Sequence, residues 1–93
     1  MKTFDVLLSE NVQKQLYEMD KKLAENIKSS LKELETDPFR NRARADIKKL
    51  KGSRNPPMYR LRIGSYRAIY AVIGNDVKVT EIIKRGKGYE WLE

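Results

Sequence analysis

Apolar side chains recur every three or four positions between residues 12 and 34, in the order Val12, Leu16, Met19, Leu23, Ile27, Leu31 and Leu34. That period puts them along one face of helical structure. Ser9 suits the N-cap of a first helix; Asp20 either caps a second one or lies within a single continuous helix. Asp37-Pro38 ends the stretch, because proline disfavours helical geometry at the residue before it. The stripes are core-forming, since an amphipathic helix needs a surface to cover. Upstream, Phe4, Val6 and Leu8 alternate with Thr3, Asp5 and Leu7, which predicts a short strand over 3–8.

From Ile47 the period shortens to two. Lys49-Leu50-Lys51-Gly52 runs into a turn, and Ser53-Arg54-Asn55-Pro56-Pro57 has loop composition. Three strands follow, at about 58–63, 66–73 and 77–84. Gly64-Ser65 suits a two-residue hairpin and Gly74-Asn75-Asp76 marks the next turn. No repeat or low-complexity tract interrupts the chain. One domain over residues 1–93 is therefore expected, of α+β class. Its predicted order is β-α-α-β-β-β, an antiparallel β-sheet packed on an N-terminal helical hairpin.

If Gly64-Ser65 is a two-residue turn, Ile63 pairs with Tyr66, Arg62 with Arg67, Leu61 with Ala68 and Tyr59 with Tyr70. One face then carries Tyr59, Leu61, Ile63, Tyr66, Ala68 and Tyr70, which suits burial under the helices. The other carries Arg60, Arg62, Arg67 and Ile69. Like charges set opposite one another cost roughly 0.2–1 kcal/mol. An anionic ligand explains that arrangement better than folding does, although side chains splayed into water would escape most of the penalty. A two-residue second turn would add Lys78, Thr80, Ile82 and Lys84 to the arginine face, whereas a bulge would flip that register.

Charge sharpens the picture. The 93 residues carry 20 basic and 13 acidic side chains, a net of +7. Residues 40–67 alone hold ten basic side chains and one acidic one, a net of +9. A concentrated, arginine-dominated stretch is the footprint of a polyanion-binding surface, because arginine matches phosphate in a bidentate fashion. Arg40, Arg42, Arg44, Lys48, Lys49 and Lys51 are expected RNA contacts that position without reading sequence. The chain has no Cys and no His. Disulfides, Cys/His zinc sites and any histidine-activated nucleophile are excluded. The N-terminus lacks a signal peptide's apolar core and no segment reaches the ~20 apolar residues of a membrane span, so the expected location is cytoplasmic.

Lys49-Leu50-Lys51-Gly52, Tyr59-Arg60-Leu61-Arg62, Gly64-Ser65-Tyr66-Arg67-Ala68-Ile69-Tyr70, Lys84-Arg85 and Tyr89, in that order and spacing, resemble the RelE/ParE superfamily of toxin–antitoxin toxins. The resemblance implies a RelE-like, microbial-ribonuclease type of fold. For the RelE branch it implies a ribosome-dependent endoribonuclease that cuts mRNA in the decoding site, needs no cofactor or metal, arrests translation under stress and is held by a cognate antitoxin. The ParE branch shares the fold but acts on DNA gyrase. A non-catalytic RNA-binding module of the same fold is a third outcome. Carried over by position, the catalytic candidates are Arg60, Arg62, Arg67, Arg85 and Tyr89, with Lys84 as a further RNA contact. The family pattern has lysines where Arg60 and Arg62 stand. Arginine stays protonated, so neither can act as a base.

RNA supplies its own nucleophile, the 2′-hydroxyl. Attack on the adjacent phosphorus expels the 5′-oxygen and leaves a 2′,3′-cyclic phosphate. Arginines stabilise the extra negative charge, usually the largest contribution, and fixing a splayed nucleotide supplies alignment. Tyr89 is expected either as the base, its pKa lowered by clustered arginines, or as the group that stacks on the nucleotide being cut. Trp91 and Leu92 equally suit a tail folded onto the core.

Overall fold

The computed structural model describes residues 2–52 and 54–84. Strand β1 (Asp5–Leu8) leads into helices α1 (Glu10–Glu18) and α2 (Lys21–Lys32), and a 3-10 turn at Glu33–Glu35 follows. Then come β2 (Asp46–Lys49), β3 (Met58–Ile63), β4 (Tyr66–Ile73) and β5 (Asp76–Lys84). The helices are separate, as their caps dictate. Ser9 Oγ accepts from the Val12 N–H at 3.1 Å, and Asp20 Oδ2 accepts from that of Leu23 at 3.4 Å.

The five strands form one sheet in the order β1-β5-β4-β3-β2. The helical hairpin on an antiparallel sheet is as expected, with two additions. Asp46–Lys49 is a strand in its own right, pairing antiparallel with β3, and β1 joins β5 in parallel. The first strand starts at Asp5 rather than Thr3 because the Thr3 and Phe4 N–H groups donate to the Glu35 carbonyl instead of to a ladder.

The β3–β4 register matches the expectation residue for residue, Arg62 opposite Arg67 included. Both hairpin turns put glycine first, Gly64 at φ 57° and Gly74 at φ 62°, while Ser65 and Asn75 keep negative φ. That is the type II′ pattern, whose twist matches the strands it joins.

The core lies between the helices and one sheet face. Val12, Leu16, Ala24, Ile27, Leu31 and Leu34 meet Leu61, Ile63, Ala68, Tyr70, Val72, Val77, Val79 and Ile82. On the opposite face Leu50 and Ile69, with Met58 and Ile83 against them, make a small second cluster.

A bulge corrects one expectation. Tyr70 pairs with Val79 but Ile69 pairs with Glu81, so Thr80 is an extra residue in β5. Past it the alternation inverts. Ile82 turns into the core opposite Ala68, and Lys84, opposite Tyr66, follows it to the helix side. Glu81 and Ile83 stand on the arginine face where Ile82 and Lys84 were expected. Among the described residues no strand lies beside the outer edge of β5 beyond Val79, and α1 caps it. Gln15 donates to the Ile82 carbonyl at 2.7 Å and accepts from its N–H at 3.2 Å, while Ser9 Oγ donates to the Thr80 carbonyl.

Candidate nucleic-acid interface

The arginine face is built by register. Asp46, Arg62, Arg67 and Ile83 are successive cross-strand partners over β2, β3, β4 and β5; Lys48, Arg60, Ile69 and Glu81 form the next row. Three arginines thus share the face turned away from the helices, because alternation leaves them no other side. Their exposure differs. Arg62 lies open, whereas Arg60 is 7 % exposed and Arg67 4 %. Arg60 Nη1 donates to both the carboxylate and the main-chain carbonyl of Asp46, each at 3.1 Å. The carboxylate therefore reaches diagonally past Arg62, its direct partner, and holds Arg60 in place. Lys48 and Lys78 add charge to the same face, opposite Arg60 and Ala71. Guanidinium groups in this arrangement have the charge and donors to meet a phosphate.

The remaining predicted contacts separate. Arg85 and Tyr89 lie outside the described residues. Lys84 stands across the sheet from the arginines. Lys49, opposite Tyr59, also points to the helix side. Lys49, Lys51 and Arg54 line a cleft of about 350 Å³ with Leu50 and Gly52. Arg40 and Arg44 are exposed; Arg40 Nε sits 3.5 Å from the Asp37 carboxylate. The expected single basic face is thus two surfaces, the open side of the sheet and the edge around β2.

Arg42 belongs to neither, which corrects its expected role as an RNA contact. Its side chain is 16 % exposed and its donors serve the chain itself. Nη1 donates to the Asp37 and Arg40 carbonyls at 3.0 and 2.6 Å, and Nη2 to the Glu33 carbonyl at 2.9 Å. The Glu33 carboxylate stands 3.8 Å away. Arg42 is the latch that folds the connector between the helices and β2.

Sequence reasoning also missed a row of rings on the helix side. Phe4, Phe39 and Tyr59 meet edge to face at 5.7 and 5.6 Å, and Tyr59 stacks on Tyr70. Tyr70 donates to the Pro38 carbonyl at 2.7 Å. Burial, reinforced by Tyr59, pushes its pKa well above that of free tyrosine, so it stays a donor. The Asp37-Pro38-Phe39 turn carried the only sequence signal, an aromatic residue just after a helix stop. A groove of about 600 Å³ beside β1 and α1, lined mainly by apolar side chains, lies away from all of this.

Comparison with known proteins decides the lineage. A family model described as the ParE toxin of the type II toxin–antitoxin system parDE matches residues 6–89. The chain belongs to the RelE/ParE superfamily of type II toxins. The RelE1 toxin of Methanocaldococcus jannaschii is 32 % identical over 94 % of this chain and 96 % of its own. Among solved structures, RelE in the Pyrococcus horikoshii RelE–RelB complex aligns with a TM-score of 0.77 at 30 % identity, covering 90 % of this chain and 97 % of that one. The Methanococcus jannaschii RelB–RelE complex gives 0.70 at 25 % identity, with 94 % and 99 % covered. This superfamily member sets two helices against a single sheet. The sheet face away from the helices is where its arginines gather, Arg62 exposed and Arg60 and Arg67 buried.

Proposed function

We propose that this toxin is a metal-independent, ribosome-dependent endoribonuclease that cuts mRNA in the decoding site and is held in check by a cognate antitoxin. The observation carrying this is the pairing of Arg62 with Arg67 across β3 and β4, with Arg60 held beside them by Asp46, on the side of the sheet that the helices leave uncovered. Paired guanidinium groups are an electrostatic cost that a phosphate removes. Attack of the 2′-hydroxyl forms the new bond to phosphorus, and the bond to the 5′-oxygen breaks, that oxygen taking a proton from water. Arg62, with Arg60 held by Asp46 and Arg67 paired across the strands, takes up the charge on the non-bridging oxygens. The proton leaving the 2′-hydroxyl needs a group other than arginine, and Tyr89 is the residue assigned that role. The relatives solved with RelB support an antitoxin partner here as well, and the net +9 of residues 40–67 suits an acidic segment.

Gyrase inhibition is the second reading, favoured by the match to the ParE family model. Primer extension on mRNA from cells expressing the protein separates the two. Cuts inside translated codons, lost about 100- to 1000-fold in Arg62→Ala, are expected. Intact mRNA with relaxed or broken DNA refutes the nuclease in favour of the gyrase inhibitor. Ribosome binding with neither lesion leaves a non-catalytic module.

A further inference from the structure

Phe39 is an oddity among the aromatic residues. The residue is 47 % exposed, yet the main chain on both sides of it is held by hydrogen bonds. The preceding carbonyl, that of Pro38, accepts from Tyr70. The Phe39 N–H donates to Asp37 Oδ1 at 2.9 Å, and the following N–H, that of Arg40, donates to the same oxygen at 3.1 Å. Arg42 then holds the Asp37 and Arg40 carbonyls on either side. Phe4 and Tyr59 fix the ring itself from two directions. A half-open ring needs no such immobilisation merely to shield the Tyr59–Tyr70 stack. Immobilisation does lower the entropy lost when a flat ligand lands on it.

Its neighbours are cations. Arg40 follows directly. Lys49 stands opposite Tyr59, the ring that Phe39 touches, and opens into the cleft shared with Lys51 and Arg54. We propose that Phe39 is a stacking platform for an unpaired base of single-stranded RNA, with Lys49, Lys51 and Arg54 taking an adjoining phosphate. A flat ring beside a phosphate-sized cluster of positive charge is what one nucleotide requires. An acidic peptide satisfies the cations but leaves the ring face in water. The ring is distinct from the arginine face, because Tyr59, which it touches, and Lys49 alternate to the opposite side from Lys48 and Arg60; the cleft, which Leu50 also lines, lies at the end of β2. The platform concerns binding and not cleavage, so it stands or falls separately from the nuclease proposal.

The test is anisotropy of a single-stranded RNA dodecamer carrying 2-aminopurine, bound to the full chain at about 0.1 M salt. Phe39→Leu should weaken binding about 5- to 150-fold, and Phe39→Trp should restore it and quench 2-aminopurine. Lys49→Ala and Lys51→Ala should each flatten the dependence of affinity on salt by about 0.7 in log–log slope. Unchanged affinity in Phe39→Leu overturns the proposal. So does an equal loss in Phe39→Leu and Phe39→Trp, which would mark a structural ring. Binding of a polyglutamate peptide that Phe39→Leu weakens as much as it weakens RNA binding overturns it in favour of an acidic protein partner.

Discussion

Replacing Arg42 by alanine discriminates between a nucleic-acid contact and a structural latch. The guanidinium holds three main-chain carbonyls: those of Asp37 and Glu33 are partly buried, and that of Arg40 is exposed. The exposed carbonyl regains water and contributes little. Each partly buried one loses a charge-assisted bond worth about 1.5 kcal/mol at the low end of its range, and the Glu33 carboxylate at 3.8 Å adds a few tenths. Arg42→Ala should therefore cost about 3 kcal/mol. A 93-residue domain has about 5–14 kcal/mol in total. At about 4–8 °C per kcal/mol, the melting temperature should fall by roughly 12–24 °C. Circular dichroism melts and urea titrations of Arg42→Ala read this directly, with exposed Arg44→Ala as the control, expected within ±0.5 kcal/mol. A melting temperature unchanged in Arg42→Ala, together with a salt slope of RNA binding reduced by about one, would refute the latch and restore Arg42 to the interface.

Gln15→Ala should cost about 1–3 kcal/mol in urea unfolding, because it strips both main-chain partners from Ile82 at the strand edge that β1 leaves open. Tyr70→Phe leaves the Pro38 carbonyl without its donor inside the core, and about 1–2 kcal/mol should be lost with little change in secondary structure by circular dichroism. The Asp37 carboxyl is held below its ordinary value, first by the Phe39 N–H; burial opposes this next, and the Arg40 N–H and the Arg40 and Arg42 guanidinium groups lower it further. A depressed carboxyl stabilises the fold above its unfolded pKa, near 4, and that contribution is lost as pH falls through the folded value. Wild-type stability should therefore drop more steeply below about pH 4 than that of Asp37→Asn, and parallel pH profiles of the two would contradict this.

The β3–β4 hairpin was legible because its determinants are neighbours in sequence. A glycine-led two-residue turn sets the register, and a period of two then assigns every side chain to a face. Arg60, Arg62 and Arg67 followed from that alone. The same reasoning failed one hairpin later. Gly74-Asn75 is just as clear a turn, but Thr80 bulges out of β5 at a place with no turn chemistry to announce it. The bulge brings Ile82 into the core under the helices and to the amide of Gln15, a partner 67 positions away. Asp46–Lys49 was not counted as a strand of its own, although the shorter period begins at Ile47, for a related reason. Four residues ending in two lysines lack a strand's apolar signature, and only pairing with β3 makes them one.

Sequence by itself determined the class of the fold, the helical caps, the hairpin register and the gathering of arginines on one side of the sheet. These depend on backbone geometry and on periods shorter than a turn or two of chain. Tertiary structure alone decided what each cation does. Arg42, Arg62 and Lys49 are alike as charges in a basic stretch, yet one is drawn inward by carbonyls it meets only after the connector folds, one stays open on the sheet, and one turns to the opposite side beside a ring. A charge acts according to the groups around it once water has been displaced, and those groups come from distant parts of the chain.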